Sequence, residues 1–354
     1  MRLKSLKYLL VYTTPIVVLL SIFSKNNWSY SAFVFLFGII PFIELFTKES
    51  TKNFDSLEEE IAKKDKIYDF ILYGLVPIQY FILICFLFYI SNESLSLTYK
   101  IGATISFGLS CGILGINAAH ELGHRSTWYE QLMGKMLLLT TLYMHFYIEH
   151  NRGHHANVST EKDPASSRYG ENVYSFFIRS IYCSWMSAWH LESKKLKSKN
   201  LPFLSFKNEM LVYQFVQLFL VAIIGYIFGL ESLLFFICGA FIGILLLEAV
   251  NYIEHYGLKR KKIGDRYERT MPIHSWNSNH PLGRIILLEL SRHSDHHYIA
   301  SRKYQLLRHF DESPQMPTGY PGMIILSLFP PLWFRTMHKK IEVYKTTEKG
   351  AELA

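Results

Sequence analysis

The sequence predicts an all-α membrane protein, in which a bundle of transmembrane helices carries a helical cap with a histidine-rich site for two metals. Three observations predict this class. Half of the 354 residues are apolar, these residues are gathered into blocks of about twenty, and nine of the fifteen histidines cluster at or beyond the ends of such blocks. A composition this apolar excludes a disordered chain, and the blocks argue against an ordinary soluble domain.

Six blocks are long enough to cross a hydrocarbon core of about 30 Å. The first follows a basic start but has no small-x-small cleavage site, so we interpret it as a retained helix and not a signal peptide. We expect one integral-membrane domain over residues 1–354, with a cap formed by about 125–210 and 257–354. The predicted transmembrane helices are 6–23, 30–46, 70–90, 99–119, 211–230 and 232–252.

The charge pattern predicts the orientation. Lysines and arginines are concentrated in the N-terminal start, in the loop after the second block and in the cap, whereas the alternate loops carry almost none. By the positive-inside rule, both termini and the cap face the cytoplasm. We therefore expect a multi-pass protein of a bacterial-type inner (plasma) membrane. The net charge of +8 then reflects topology and lipid headgroups, and nucleic acid is not expected as a partner.

The four cysteines indicate neither a disulfide framework nor a cysteine-bound cofactor. Cys85, Cys111, Cys183 and Cys238 lie far apart, and no C-x-x-C pair is present for a zinc knuckle or a rubredoxin-type iron site. Most fall in apolar runs, where a free cysteine behaves as a small buried residue. The metal chemistry must therefore come from other side chains.

Nine of the fifteen histidines lie in four short groups. At about 4% histidine, one H-x-x-x-H is expected by chance, but H-x-x-x-H-H and H-x-x-H-H are each expected only roughly a few hundredths of a time. Both occur, and several imidazoles at a membrane are costly without a shared partner. We therefore interpret all nine as metal ligands. They are His120, His124, His150, His154, His155, His255, His293, His296 and His297.

The spacings fit ligand geometry if these segments are helical. Positions i and i+4 of a helix differ by only about 40° around its axis. The two histidines of the first group should therefore project toward one point, as should His150 and His154. The three histidines of the last group should share one face. His155 stands about 100° from His154, which is the direction that a second nearby metal would require.

Nine imidazoles exceed the three or four ligands of one zinc ion and suit two metals with four or five nitrogens each. Zinc, copper, iron and nickel all bind imidazole, so the ligands alone do not select the element. Carboxylates beside the histidines are candidates to orient an imidazole N–H or to complete the coordination; the alternative is that they are merely solvated. These carboxylates are Glu121, Glu149, Glu254 and Asp295.

The motifs resemble a known family. The segments 120–125, 149–155, 251–258 and 292–297 closely resemble the histidine boxes of the AlkB-type alkane 1-monooxygenases, and 274–280, 304–310 and 314–320 look like that family's C-terminal half. The resemblance runs at motif level from about 118 to 337. Two departures are visible: Arg125 stands where lysine is usual, and Ser291 stands where glutamine is usual.

The resemblance implies a function. That family hydroxylates the terminal carbon of n-alkanes at a non-haem di-iron centre, using O2 and two electrons from rubredoxin. The nine histidines would then bind two iron ions. Rubredoxin would be a separate protein, served by a rubredoxin reductase, because no C-x-x-C module is fused. A slot between the helices would deliver the alkane end-on to the metals. Phe37, Phe42, Phe107 or Phe241 could limit the chain length that the slot accepts; the alternative is that these rings only pack against lipid or other helices.

Basic clusters in the cap are candidates for docking the electron donor. The cluster Lys259-Arg260-Lys261-Lys262 directly follows the His255 motif, so we expect it to form the docking rim for an acidic carrier. A second cluster spans 194–199. The alternative is that both clusters simply contact lipid headgroups.

Three other functions remain open from the sequence. A related hydroxylase or desaturase acting on alkyl-aromatic or fatty acyl substrates shares the metal chemistry, although the box spacing and the 274–280 segment favour the alkane type. A zinc protease would use Glu121 of the H-E-x-x-H pattern as general base, but it leaves seven clustered histidines without a role. A metal transporter would place its ligands near the bilayer midplane and not at one face.

Overall fold

The computed structural model describes residues 2–352; residues 1, 353 and 354 of the expected single domain lie outside the described residues. Strands Lys262–Ile263 and Arg266–Tyr267 pair antiparallel in one short hairpin. The 3-10 helices are Lys7–Tyr12, Asn27–Tyr30, Pro272–His274 and Tyr304–Leu306, and the π-helical segments are Phe35–Ile39, Cys111–Ile116 and His150–His154. The α-helices are Arg2–Leu6, Thr13–Phe23, Ser31–Val34, Ile40–Glu44, Ser56–Lys64, Ile67–Ile90, Leu97–Ser110, Asn117–Gly123, Trp128–Leu139, Phe146–Glu149, His155–Asn157, Val173–Ser198, Glu209–His255, Pro281–Ile286, His293–Tyr298, Tyr320–Ser327 and Pro330–Glu352.

Within residues 2–352, five helical segments are long and apolar enough to cross a membrane. Each of the first four predicted blocks overlaps one of these segments, and the last two blocks share the fifth. The chain is therefore a multi-pass helical membrane protein. The five segments are Lys4–Phe23, Asn27–Glu44, Ile67–Ile90, Leu97–Gly123 and Glu209–His255.

The fifth segment folds back on itself at Gly229. This residue has φ +79° and ψ 169°, a conformation that glycine reaches without strain because it has no Cβ. In the first half, Gln217 accepts a hydrogen bond from the backbone N–H of Met144 (2.9 Å). In the second half, Glu248 accepts one from the hydroxyl of Tyr143 (3.0 Å). Because both halves reach adjacent residues, they run antiparallel, and their outer ends lie on the same side.

Close packing brings the second half of this segment against the fourth one. A Cβ added at Gly243 would lie 2.6 Å from Cβ of Cys111, so only glycine permits this approach. In the same core, the rings of Phe86 and Phe107 stack with centroids 4.4 Å apart. The contact places the end of the fourth segment beside the end of the fifth, and both ends carry histidines of the predicted site.

The remaining elements form a cap over these ends. Its longest helix, Val173–Ser198, is called the cap helix below. The N-cap of this helix is Asn172, whose side chain accepts a hydrogen bond from the backbone N–H of Ser175 (3.0 Å). The first membrane-spanning segment is tied to the cap by a buried polar contact, in which Tyr8 donates to Glu289 (2.6 Å). Glu289 also pairs with Arg284 (2.7 Å). These contacts fix the cap against the membrane-spanning helices.

Candidate metal centre

The structure brings all nine predicted histidines together. Within each of two groups, the candidate ligand nitrogens lie within 4.8 Å of one another. The histidines come from four separate places: the end of the fourth span, the segment 150–155, the end of the fifth span and the helix His293–Tyr298. The first group is His120, His124, His150, His155 and His296, and the second is His154, His255, His293 and His297.

The segment that carries three of these histidines departs from the expected helix geometry. His150–His154 is π-helical, and a π-helix closes its hydrogen bonds from i to i+5. His150 therefore aligns with His155, and their Nε2 atoms lie 3.0 Å apart. His154 turns instead toward the second group. The expectation that His150 and His154 project toward one point was wrong, because it assumed an α-helix.

The last histidine group also divides between the two sites. His293 and His297 stand four residues apart on one α-helical face, and their Nε2 atoms are 2.9 Å apart. His296 lies about 100° around the helix from His297 and belongs to the first group, 3.0 Å from His120. The three do not share one target, contrary to the sequence expectation. The first pair, His120 and His124, does meet in one group, as the i, i+4 spacing predicts.

The donor set fits metal ions better than hydrogen bonds. The Nε2 atom of His155 lies 3.0 Å from that of His150 and 3.1 Å from that of His296. Each Nε2 carries either one proton or one lone pair in the plane of the ring. It can therefore donate or accept one good hydrogen bond, but it cannot bond to two neighbouring nitrogens at once. The same conflict recurs at His297, between His154 and His293. One cation at the centre of each group would satisfy all the lone pairs together.

Four of the histidines outside the spans are held in the neutral form that binds metal. Burial, followed by the neighbouring imidazoles, lowers the pKa of His150, His296 and His297 well below the ordinary value. Burial, with a smaller effect of His154, lowers the pKa of His124 to about 3. These imidazoles are therefore neutral at neutral pH, and their lone pairs are available to a metal.

His154 has a different environment. Its Nδ1 lies 2.8 Å from Oδ2 of Asp163, which also accepts a hydrogen bond from the hydroxyl of Ser166 (2.5 Å). Burial lowers the pKa of His154, but the Asp163 carboxylate outweighs it and raises the pKa above the ordinary value. The carboxylate fixes the tautomer that leaves Nε2 free for a metal. Asp163 was not predicted from the sequence, because it lies outside the histidine motifs; its position shortly after the histidine pair was the available signal.

Among the described contacts of the four predicted carboxylates, one reaches a candidate ligand directly. Oε2 of Glu254 lies 3.2 Å from Nε2 of His293, and Tyr320 donates to the other oxygen (2.8 Å). Glu149 accepts a weak hydrogen bond from Ser187 (3.4 Å), and burial raises its pKa to about 8. Glu254 is therefore the best placed of the four to orient or supplement the ligands.

The other two predicted carboxylates pair with arginines. Glu121 lies 2.7 Å from a guanidinium nitrogen of Arg125 and accepts the backbone N–H of Tyr304 (3.2 Å). Asp295 accepts two hydrogen bonds from Arg302 (2.6 and 2.5 Å). Glu121 is thus engaged by an arginine, which argues against the general base of a zinc protease.

An apolar cavity lies between the second, fourth and fifth spans and reaches the histidines. The imidazoles of His120, His150 and His293 form part of its lining. Phe37 lines it, whereas Phe107 packs on Phe86 in the bundle core. Its apolar wall includes Leu36, Ile40, Ile113, Ile116, Leu246, Val250, Ile286 and Ile324.

The predicted docking cluster lies beside the first histidine group. Arg260 donates to the backbone carbonyl of Ala156 (3.0 Å), the residue after His155, and also to that of Glu268. Arg260 therefore holds the loop in place. The three lysines of the cluster are all exposed: Lys259, Lys261 and Lys262. Lys262 also begins the short hairpin.

Fold and site together define a class: a multi-pass helical membrane protein with nine histidines, at one end of its spans, in two groups that can hold metal ions. Comparison with known proteins then gives the family. Residues 96–338 match the family model described as fatty acid desaturase. The chain is 38% identical over 325 residues to alkane 1-monooxygenase 1 of Pseudomonas aeruginosa, covering 91% of this chain and 85% of that protein.

Two further relatives are informative. Alkane 1-monooxygenase of Acinetobacter baylyi is 40% identical over 309 residues, which cover 87% of this chain and 76% of that protein. The xylene/toluene monooxygenase hydroxylase component XylM of Pseudomonas putida is 29% identical over 238 residues, covering 67% and 63%. The chain belongs to the fatty acid desaturase family and, within it, to the alkane 1-monooxygenases. It is an oxidoreductase, and the family resemblance seen in the sequence is confirmed.

Proposed function

We propose that the protein converts the terminal methyl group of n-alkanes to a primary alcohol at a di-iron centre held by the nine histidines. The reaction consumes one O2, two electrons and two protons; one oxygen atom enters the alkane, and the other leaves as water. The names of the relatives support this substrate class. The donor set of two imidazole groups suits iron, among other metals.

One observation carries the proposal: histidines of both groups form part of the lining of the apolar cavity. An alkane has no polar group to recognise, so its binding must come from burial and shape alone. A cavity whose lining combines aliphatic side chains with His120, His150 and His293 would bring a bound alkane chain to the metals.

Bound iron would supply the activation of O2 and the transfer of an oxygen atom. The residues of the chain supply the rest. The nine imidazoles hold the ions, Asp163 orients His154, and Glu254 lies where it can orient His293. The aliphatic cavity wall excludes water from the reacting carbon.

We further propose that the fifth segment crosses the membrane twice, which gives six spans, and that the cap and both termini are cytoplasmic. The reversal at Gly229 supports the first point, because it divides the segment into two antiparallel halves. The distribution of lysine and arginine supports the second. The expected location is a bacterial-type inner membrane.

Electrons would come from a separate rubredoxin, reduced by its reductase, that docks beside the first histidine group. This group contains the half-buried His124 and His155, and the basic cluster at 259–262 is tied to Ala156. Charge reversal at Lys259 and Lys262 should weaken rubredoxin-supported turnover in a salt-dependent way. Arg260 is left unchanged because it holds the loop, and unaltered kinetics would contradict docking here.

A second candidate function follows from the XylM relative and the family model: hydroxylation of an alkyl-aromatic methyl group, or desaturation of a fatty acyl chain. Product analysis with octane, hexadecane, a xylene and a fatty acid separates the candidates. We expect 1-alkanols from the alkanes as the main products. Acyl desaturation without alkanol, or preferential oxidation of the xylene, would contradict the proposal.

A further inference from the structure

The cap helix Val173–Ser198 has two faces of different character. Its inner face supports the metal centre: Glu192 is fully buried and pairs with Arg152 (2.9 Å), and Ser187 donates to Glu149. Its outer face is exposed and largely apolar over the first four turns. The exposed large apolar and aromatic residues there are Tyr174, Ile178, Tyr182, Trp185 and Met186, spaced for one stripe of an α-helix.

The cap helix runs along one side of the membrane-spanning bundle. Near its start, the ring of Phe176 packs on Tyr252, at the end of the fifth span's second half (centroids 5.4 Å apart). Near its end, Lys195 pairs with Glu209, the first residue of that span (2.7 Å). The outer ends of the two antiparallel halves lie on one membrane side. The helix therefore bridges two span ends and lies roughly in the membrane plane.

The loop after the cap helix continues the exposed apolar surface. Leu204 is 82% exposed and Phe206 is 97% exposed. Phe206 stands three residues before Glu209, where the fifth span begins, so at about 3.3 Å per extended residue it lies within about 10 Å of the span end. Exposed lysines flank this surface. They are Lys194, Lys197, Lys199 and Lys207.

We propose that this face of the cap helix, with the loop 199–208, is a membrane-surface anchor that binds the anionic headgroup region of the adjoining leaflet. Tyrosine, tryptophan and long aliphatic side chains favour the membrane–water boundary, and lysines beside them attract anionic lipids. Because its inner face holds the segment with His150, His154 and His155, the anchor fixes the height of the metal centre relative to the bilayer.

Spin labels test the anchor in the whole protein. In a background without the four native cysteines, single cysteines replace Ile178 or Phe206, and Ile263→Cys is the matched control, since Ile263 is a 67% exposed isoleucine on the short hairpin. The protein is placed in phosphatidylcholine–phosphatidylglycerol vesicles. We expect the labels at 178 and 206 to collide more with O2 than with a water-soluble nickel complex, and the label at 263 to show the reverse.

Equal accessibility ratios at the three positions would overturn the proposal. Labels at 178 and 206 that are shielded from both reagents would also overturn it, because a second copy or another protein would then cover the face. The charges are tested separately with a variant carrying Gln at the four exposed lysines. The phosphatidylglycerol retained by the purified protein should fall at least about fivefold. Unchanged retention, with the label results intact, would overturn the anionic part of the proposal.

Discussion

Nδ1 of His154 lies 2.8 Å from Oδ2 of Asp163, and both side chains are buried. This contact leaves Nε2 of His154 directed at the second histidine group, 3.2 Å from Nε2 of His297. A carboxylate in this position fixes the imidazole tautomer and makes it a stronger ligand. The pair therefore links a residue outside the histidine motifs to the affinity of the metal centre.

Asp163→Asn should weaken metal binding because the amide cannot stabilise the imidazole as a carboxylate does. We expect metal affinity to fall about 10–100-fold. The measurement is iron retained per chain during titration with a chelator. Asp265→Asn, at an exposed position of the hairpin loop, is the matched control and should change nothing. Equal retention in both variants would show that Asp163 is not needed.

His296→Ala and His297→Ala should damage different groups, although the two residues are adjacent. The first removes a nitrogen from the group of five, and the second removes one from the group of four. We expect each variant to lose most alkane hydroxylation and to retain about one iron ion, with the larger loss of affinity for His297→Ala because only three imidazoles remain. His190→Ala, at an exposed position of the cap helix, is the control. Full iron content in both ligand variants would refute the assignment.

Phe37→Ala should shift the preference toward longer alkanes. Phe37 lines the same cavity as His120, His150 and His293, and shortening this side chain enlarges the space for the alkane. We expect the ratio of hexadecane to octane turnover to rise by about tenfold. Phe241→Ala removes a ring that is half exposed on the outside of the bundle, and it should leave the ratio unchanged. Equal hexadecane-to-octane ratios in the two variants would show that Phe37 does not limit the length of the bound alkane.

Arg125→Ala should destabilise the fold. The buried guanidinium of Arg125 lies 2.7 Å from Glu121 and 3.1 Å from Asp69. Its removal leaves the buried Glu121 carboxylate without its cationic partner, whereas Asp69 keeps Lys303 (2.8 Å). The expected loss in free energy of unfolding is about 3–5 kcal/mol. Thermal unfolding in detergent gives the measurement. Arg125→Lys keeps the charge and should retain most of the stability; equal losses would point to packing as the cause.

The sequence predicted the parts of this protein that depend on local pattern. Apolar blocks mark the spans, and rare histidine spacings mark the site. It did not predict which histidine serves which group, because the π-helical turn at 150–154 aligns His150 with His155 and not with His154. The sequence also indicated Asp295, which is adjacent to the ligands in the chain, as a candidate to orient an imidazole, but Asp295 pairs with Arg302. It did not predict Asp163, because the contact of Asp163 with His154 depends on the fold of the intervening loop.

The central claim is that the two histidine groups bind two iron ions in unequal environments. Elemental analysis and Mössbauer spectroscopy of the purified, iron-loaded protein test it most directly. We predict about two iron ions per chain and two iron signals of equal area, one for the group of five imidazoles and one for the group of four. A single metal ion per chain, or zinc in place of iron in protein that forms 1-alkanol, would contradict the account.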